Sequence, residues 1–539
     1  MSRIYRRFIR ETAGRIQLPA PQIFFQMLSD NVPVSDIATA VLQIFPRIKV
    51  KTFDELLKLV DANTVTLNQA NSVKYPILFP RMNGGTQAYT TAWAADGFQN
   101  MDAVLLGGRY ENVPSNRPAV LSTLVAGNGF GIKCKPVQYM ISDCYTENNN
   151  YSISVANAPV WNAYVNANNM HLYLNGTSGK KAPNFYRSDF TQLNQSDYAS
   201  VPTVGGRKLE DEFARQMLSN FITGGFAGCS SDIYAFFHDN VMHYAGAGTN
   251  VPANADWDRD GTSDVTRADA VSLKFRTGQK RYVDYIRANQ PGLKVVANLS
   301  AQTLNEAGQR CYDVGPSALF PEYGVWDGCM FETVYGDKTY SMIQWAGNTA
   351  TWKCSQYYQD FCIDPQLTQW SIIGMQSNGT DTIRTALGQA FRWSFTACLI
   401  FTDMGYNWTG SSGNRPDGIS SKLDFFGEFS AHPNTGVCST AWSNAAQWRK
   451  WMGTRQGPRV AYNASPWQNG CYRRIFNGQN GKPVMVIHNP TTSPQRVTLD
   501  ANYRRLTGGS DPAINDGRAQ NTGSFIDIPG QDGIILLGQ

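Results

Sequence analysis

The 539-residue chain holds no run of the roughly 18 consecutive apolar residues that a membrane-spanning helix requires. Its first segment is interrupted by Arg3, Arg6, Arg7, Arg10 and Arg15, and no apolar stretch of about 7–15 residues follows. A secretory signal is therefore not expected, and an exported chain would leave by another route, such as lysis or a virion. The ten cysteines include no Cys-x-x-Cys pair and scatter from Cys134 to Cys471. No disulfide framework is implied, and most are expected to be buried small hydrophobes. A P-loop, a Gly-x-Gly-x-x-Gly fingerprint and a Gly-x-Ser-x-Gly elbow are all missing, and no organic cofactor is expected. The net charge is only +5, and the basic residues gather in the N-terminal arm, so no nucleic-acid track is read from them.

What is present is globular. Hydrophobic residues make up 42% and charged residues 17%, enough to bury a large core. The length suits one barrel of about 250 residues or more with smaller appended domains. Aromatics reach 12%, with 13 Trp and 25 Tyr, which serve either core packing or the stacking of sugar rings.

Three regions are expected. Residues 1–72 show helical apolar spacing between Pro and Asp/Asn punctuation and read as a helical region for anchoring or oligomerisation. Residues 73–464 alternate strand-like and helical runs. Strands are expected at 75–80, 103–106, 136–142, 171–174, 233–237, 294–297, 326–331 and 397–401, and helices at 209–222, 274–289 and 380–396. Such alternation predicts an α/β fold, and eight strands suit a (β/α)8 TIM-like barrel. Residues 465–539 carry short β-type runs at 471–476, 483–488, 495–499, 525–528 and 533–537, separated by Gly, Asn and Pro turns, and read as an antiparallel β-sandwich.

Two of the apolar runs end in a carboxylate. Ile233-Tyr234-Ala235-Phe236-Phe237-His238 leads into Asp239-Asn240, and Trp326-Asp327-Gly328-Cys329-Met330-Phe331 leads into Glu332. Strand carboxyl ends are where β/α barrels place reactive groups, and glycoside hydrolysis needs two facing acids. A Glu behind buried Met and Phe can have the raised pKa that a general acid needs. The opposing readings are an Asp that caps the next element and a salt-bridged strand-end Glu. Asn298 ends the intervening run and offers an amide to a sugar hydroxyl or to a turn. Asp143 and Asp403 follow other apolar runs, and His238, Asn240 and Trp326 flank the acids.

A separate motif is Asp256-Trp257-Asp258-Arg259-Asp260-Gly261-Thr262-Ser263-Asp264. Acids at positions 1, 3, 5 and 9 with Gly at 6 match the first part of an EF-hand-like loop, which suggests structural calcium held by Asp256, Asp258, Asp260 and Asp264. Arg267 occupies position 12, where that loop carries an acid. A solvated acidic turn is the alternative.

Residues 235–241, the Asp-rich loop and the run Pro291-Gly292-Leu293-Lys294-Val295-Val296-Ala297-Asn298 together resemble glycoside hydrolases of the barrel type. So do Trp326–Glu332, Asp424-Phe425-Phe426-Gly427-Glu428 and the closing Asp532-Gly533-Ile534-Ile535-Leu536-Leu537. The resemblance covers about residues 75–539. It implies Asp239 as nucleophile or base, Glu332 as acid and a carbohydrate substrate. Ser231-Asp232 stands where the family has Asp-Gly, and His238 precedes the Asp. Two function classes follow: a glycoside hydrolase, or a non-catalytic glycan-binding or structural part of a larger assembly such as a phage tail, joined through residues 1–72.

Overall fold

The computed structural model describes residues 77–78, 103–106, 117–126, 134–140, 144–145, 158–174, 180–183, 191–198, 201–224 without 202 and 204, 230–238, 254–264, 268–298, 326–331, 370–374, 384–401, 405–409, 427–440, 448–461 without 449 and 458, and 464–539. The expected helical region 1–72 lies outside them.

Eight strands form one wholly parallel sheet in chain order: β1 (Ile77–Leu78), β2 (Ala103–Leu106), β3 (Lys135–Met140), β4 (Ala235–His238), β5 (Lys294–Asn298), β6 (Gly328–Phe331), β7 (Trp370–Gly374) and β8 (Gly405–Thr409). The first strand of that order, β1, also lies beside the last, β8. Helices α1 (Arg117–Ala126), α2 (Ala158–Ala167), α3 (Leu209–Leu218), α4 (Ala268–Asn289) and α5 (Arg384–Phe401) intervene. Parallel neighbours need long crossovers, and helices supply them. Among the described residues no helix is long and apolar enough to cross a membrane.

Alternation along the strands separates two apolar layers. Ala103, Val137, Tyr139, Ala235, Phe237 and Val296 form one cluster on one face. Met140, Phe236, Val295 and Ala297 point the other way, into a larger core with Leu121 of α1, Phe213 and Met217 of α3 and Val283 and Ile286 of α4.

Two expected strands are corrected. Residues 397–401 are the last turns of α5, which runs unbroken through the segment read as helix then strand. A short apolar run such as Ala-Cys-Leu-Ile-Phe has no period that separates a buried helix from a buried strand. From His171 to Leu174 only Tyr173–Leu174 is a strand, and it pairs antiparallel with Ala255–Asp256 outside the parallel sheet. The places in the sheet belong instead to β7 and β8.

The C-terminal part is antiparallel. Strands β9 (Thr454–Gln456), β10 (Tyr472–Asn477), β11 (Pro483–Asn489), β12 (Gln495–Thr498), β13 (Tyr503–Arg505), β14 (Ala519–Gln520), β15 (Phe525–Ile528) and β16 (Asp532–Gly538) make two sheets. One has the order β9-β10-β11-β16-β13-β14, and the other pairs β12 with β15. Met485, Ile487, Ile534 and Leu536 pack against Val497, Ile526 and Ile528 between the sheets. The alternate residues Val484, Val486, Ile535 and Leu537 join the core around α5. Burial of both faces explains why β11 and β16 read as continuous apolar runs. Cys134, Cys398, Cys438 and Cys471 are all buried, as expected. Burial pushes the Cys471 thiol up to about 12.

Helix α5 carries the contact between the two parts. Phe391 and Phe395 pack on Tyr406 of β8 at 5.9 and 4.9 Å between ring centroids. On the C-terminal side, Arg392 donates from Nε and Nη2 to the two carboxylate oxygens of Asp532 at 2.9 and 2.6 Å, both side chains being buried. Thr396, one turn on, bonds His488 Nδ1 at 3.1 Å. A Cβ at Gly533 would lie 2.0 Å from Thr396 Oγ1, so only glycine lets β16 come this close. Arg474 of β10 donates to the Leu399 carbonyl at 3.0 Å, near the helix C-terminus, where a cation is favoured.

Breaking a buried pair leaves a charge without compensation. Asp532→Asn is expected to lower unfolding free energy by about 3–5 kcal/mol, read as a drop in the urea midpoint. Arg392→Met combined with Asp532→Leu should recover most of that loss. A wild-type midpoint for the single variant would show that the pair does not hold the contact. Burial also pulls His488 from 6.5 down to about 3. The unfolded chain therefore binds a proton that the folded chain refuses. The stability of the neutral His488 is complete above about pH 6.5 and drains away as pH falls towards 3, by about 1.4 kcal/mol per unit within that window. Urea unfolding between about pH 7 and pH 5 should show His488→Gln losing less than the wild type; equal slopes would refute the assignment.

Candidate functional site

The sheet register brings the three strands of the sequence-predicted site side by side. In the β4–β5 ladder His238 stands opposite Ala297, and in the β5–β6 ladder Asn298 stands opposite Met330. Asp239 follows the last residue of β4 in the chain, Asn298 is the last residue of β5, and Glu332 follows the last residue of β6. Asp239, Asn240, Glu332, Asp143 and Asp403 themselves lie outside the described residues, and of Asn298 only the backbone is described.

His238 and Trp326 are both buried, on the helix-facing side of the sheet. The His238 ring meets Tyr282 of α4 at 5.1 Å, Trp326 at 5.8 Å and Phe213 of α3 at 6.3 Å, each edge-on. The face of Phe237 is the opposite one. Asp327, beside Trp326, accepts from the Val295 amide at 2.9 Å and from Arg287 at 2.8 Å, tying the end of α4 to β5. Sequence reasoning missed Gln195, Glu210, Gln279 and Tyr282, which surround His238 and Trp326. The helical spacing of 209–222 placed Glu210 on a helix, but no local signal marks which of three successive buried acids lacks a cationic partner.

The resemblance motif at 424–428 ends in Glu428, which is buried in a 3-10 turn, Gly427–Phe429. Its carboxylate accepts from the Ser510 amide at 3.0 Å and from Asn515 Nδ2 at 2.7 Å. Burial raises its pKa and the Ser510 contacts oppose this. This acid ties the C-terminal sheets to the rest of the chain.

In the Asp-rich loop, carboxylate oxygens of Asp256, Asp258 and Asp260 lie within 4.8 Å of one another. Two ligands on one calcium, each about 2.4 Å away, span no more than about 4.8 Å, so this set fits a hard cation. Asp264 is buried apart from them and accepts from the amides of Trp257 and Asp258. Arg259 sits at φ 62° and donates to the carbonyls of Asn169 and His171 at 2.5 and 3.0 Å, which pins the loop to its neighbour. Burial raises the Asp256 pKa, and the charges of Asp258 and Asp260 raise it further.

No family model and no curated protein matches the sequence. Among solved structures, the chain is similar to Amy13B of Eubacterium rectale at 8% identity, covering 88% of this chain and 98% of that one, with a TM-score of 0.44. It is similar to an alpha-amylase from H. orenii at 9% identity over 86% of this chain and 100% of that one, TM-score 0.43. It is also similar to the maltogenic amylase from S. marinus at 10% identity and TM-score 0.41, over 87% of this chain but only 66% of that one. The likeness is one of chain path and not of sequence.

Proposed function

We propose that the chain is a glycoside hydrolase built on a (β/α)8 barrel, cleaving a polysaccharide with Asp239 as nucleophile or base and Glu332 as acid. The observation that carries this reading is the β4–β5–β6 register. Val296 lies in the same cluster as Ala235 and Phe237, and it pairs with Gly328. A side-chain period of two puts Asn298 on that face and, continued one residue past β4 and β6, would put Asp239 and Glu332 there too. Strands two positions apart are separated by about 10 Å. Carboxyls leaning towards each other would bring this into the roughly 5–9.5 Å over which paired acids act on a glycosidic bond. Asn298, between them, would hold a sugar hydroxyl. His238 and Trp326 would act from behind, by packing the strands.

The loop carboxylates of Asp256, Asp258 and Asp260 would hold calcium as a structural ion, away from the reacting bond.

Wild type, Asp239→Asn and Glu332→Gln should be screened on a panel of bacterial surface polysaccharides for reducing-end release. Each substitution is expected to cut release by at least about 10²-fold. Equal release by all three would remove the catalytic assignment, and tight binding without release by the wild type would favour a glycan-binding role. Calcium should raise the wild-type melting temperature and leave Asp258→Asn unmoved; the same response in both would remove the ion from this loop.

A further inference from the structure

Between α3, α4 and the end of β4 lies a closed cavity of about 10 Å³, lined by Gln195, Glu210, His238, Gln279, Tyr282 and Trp326. That is room for about one water molecule. Leu209 and Phe213 complete the lining, and into this mixed wall several buried polar groups are set. Glu210 is 3% exposed, and neither of its carboxyl oxygens accepts a hydrogen bond from another residue. Gln195, Gln279 and His238 are buried as well. An apolar void of this size would stay dry, whereas a polar one with several donors and acceptors orders a water.

The packing around Glu210 is tight by construction. A Cβ on Gly278 of α4 would lie 1.8 Å from the Gln195 carbonyl oxygen and 2.8 Å from Glu210 Oε1. Glycine is what lets α4 close the cavity. The nearby cations are already committed. Lys208 and Arg281 both stand 3.5 Å from Asp197, and Arg281 also pairs with Asp211. From β4 the facing titratable group is His238, and from α4 it is Tyr282, whose hydroxyl donates to the Met140 sulfur. Among the described residues no cation makes a hydrogen bond to the Glu210 carboxyl.

We propose that Glu210 is held as a neutral carboxylic acid whose O–H donates to one enclosed water, and that this water links it to Gln195, Gln279 and His238. The three first-turn acids of α3 then divide their work. Asp211 accepts from the Lys208 amide at 3.1 Å, Glu212 binds Arg207 and Arg215 at 2.9 and 2.5 Å, and Glu210 carries a proton. Burial raises the Glu210 pKa well above the ordinary carboxylate range; Asp211 adds to the rise, while Arg281 and Lys208 oppose it. The site supports the back of β4 and stands independently of the catalytic reading.

The test is infrared difference spectroscopy near pH 8 together with melting curves. The wild type should show the carbonyl stretch of a protonated carboxylic acid that both Glu210→Gln and Glu210→Leu lack. A folded pKa above the unfolded value makes the wild type lose stability as pH rises. Its melting temperature should therefore fall relative to Glu210→Gln as pH rises above the ordinary carboxylate range. Glu210→Leu, which removes the hydrogen bond from residue 210 to the water, should melt below Glu210→Gln throughout. A difference spectrum without that band, or a constant gap between wild type and Glu210→Gln, would overturn the neutral acid. Equal melting of the Leu and Gln variants would overturn the water. If Glu210→Gln does not fold, the spectrum against Glu210→Leu still decides the protonation.

Discussion

Burial of helix α5 from Phe391 to Phe401 is the constraint on which the arrangement of this molecule depends. From Phe391 to Phe401 every residue of the helix is buried. A helix enclosed on all sides must match each polar group it carries, because an unmatched one costs several kcal/mol by order of magnitude. Arg392 is matched by Asp532, Thr396 by His488, and the Leu399 carbonyl by Arg474. All three partners belong to the C-terminal sheet. The aromatic face of α5 meets Tyr406 on the parallel sheet. The helix thus couples the two sheets through side chains that neither could satisfy alone. Glu428 does the same work in a second place, reaching Ser510 and Asn515.

The parallel sheet adds a division of labour by parity. Alternate residues of β3, β4 and β5 go either to the cluster around Phe237 or to the helix layer around Phe213 and Tyr282. This rule sends His238 behind the sheet and Phe237 to the opposite face. Strands β4, β5 and β6 are held in register by backbone ladders, so the relative height of their last residues is a property of the sheet and not of a loop.

Much of this was legible in the sequence, and the failures have a common cause. The runs at 103–106, 136–142, 233–237, 294–297 and 326–331 all contain sheet strands, and all five C-terminal runs contain strands. They were readable because β-branched and aromatic residues bounded by Gly, Pro and Asn favour strands whatever surrounds them. The run at 397–401 misled because full burial erases the period that separates helix from strand. The strands Trp370–Gly374 and Gly405–Thr409 escaped notice because only their sheet neighbours give short mixed segments a reason to be extended.

The sequence by itself determined the parallel α/β character, the antiparallel close, the runs that become β4, β5 and β6, and the spacing of the Asp-rich loop. These are local or periodic properties, written in neighbouring residues. Tertiary structure alone decided which polar residues are buried together. Glu210 beside His238, Arg392 on Asp532 and Glu428 under Ser510 are separated by 28, 140 and 82 residues in the chain. Desolvation acts on what surrounds a group in space, so no short window of sequence can show whether a carboxyl will be charged, paired or neutral.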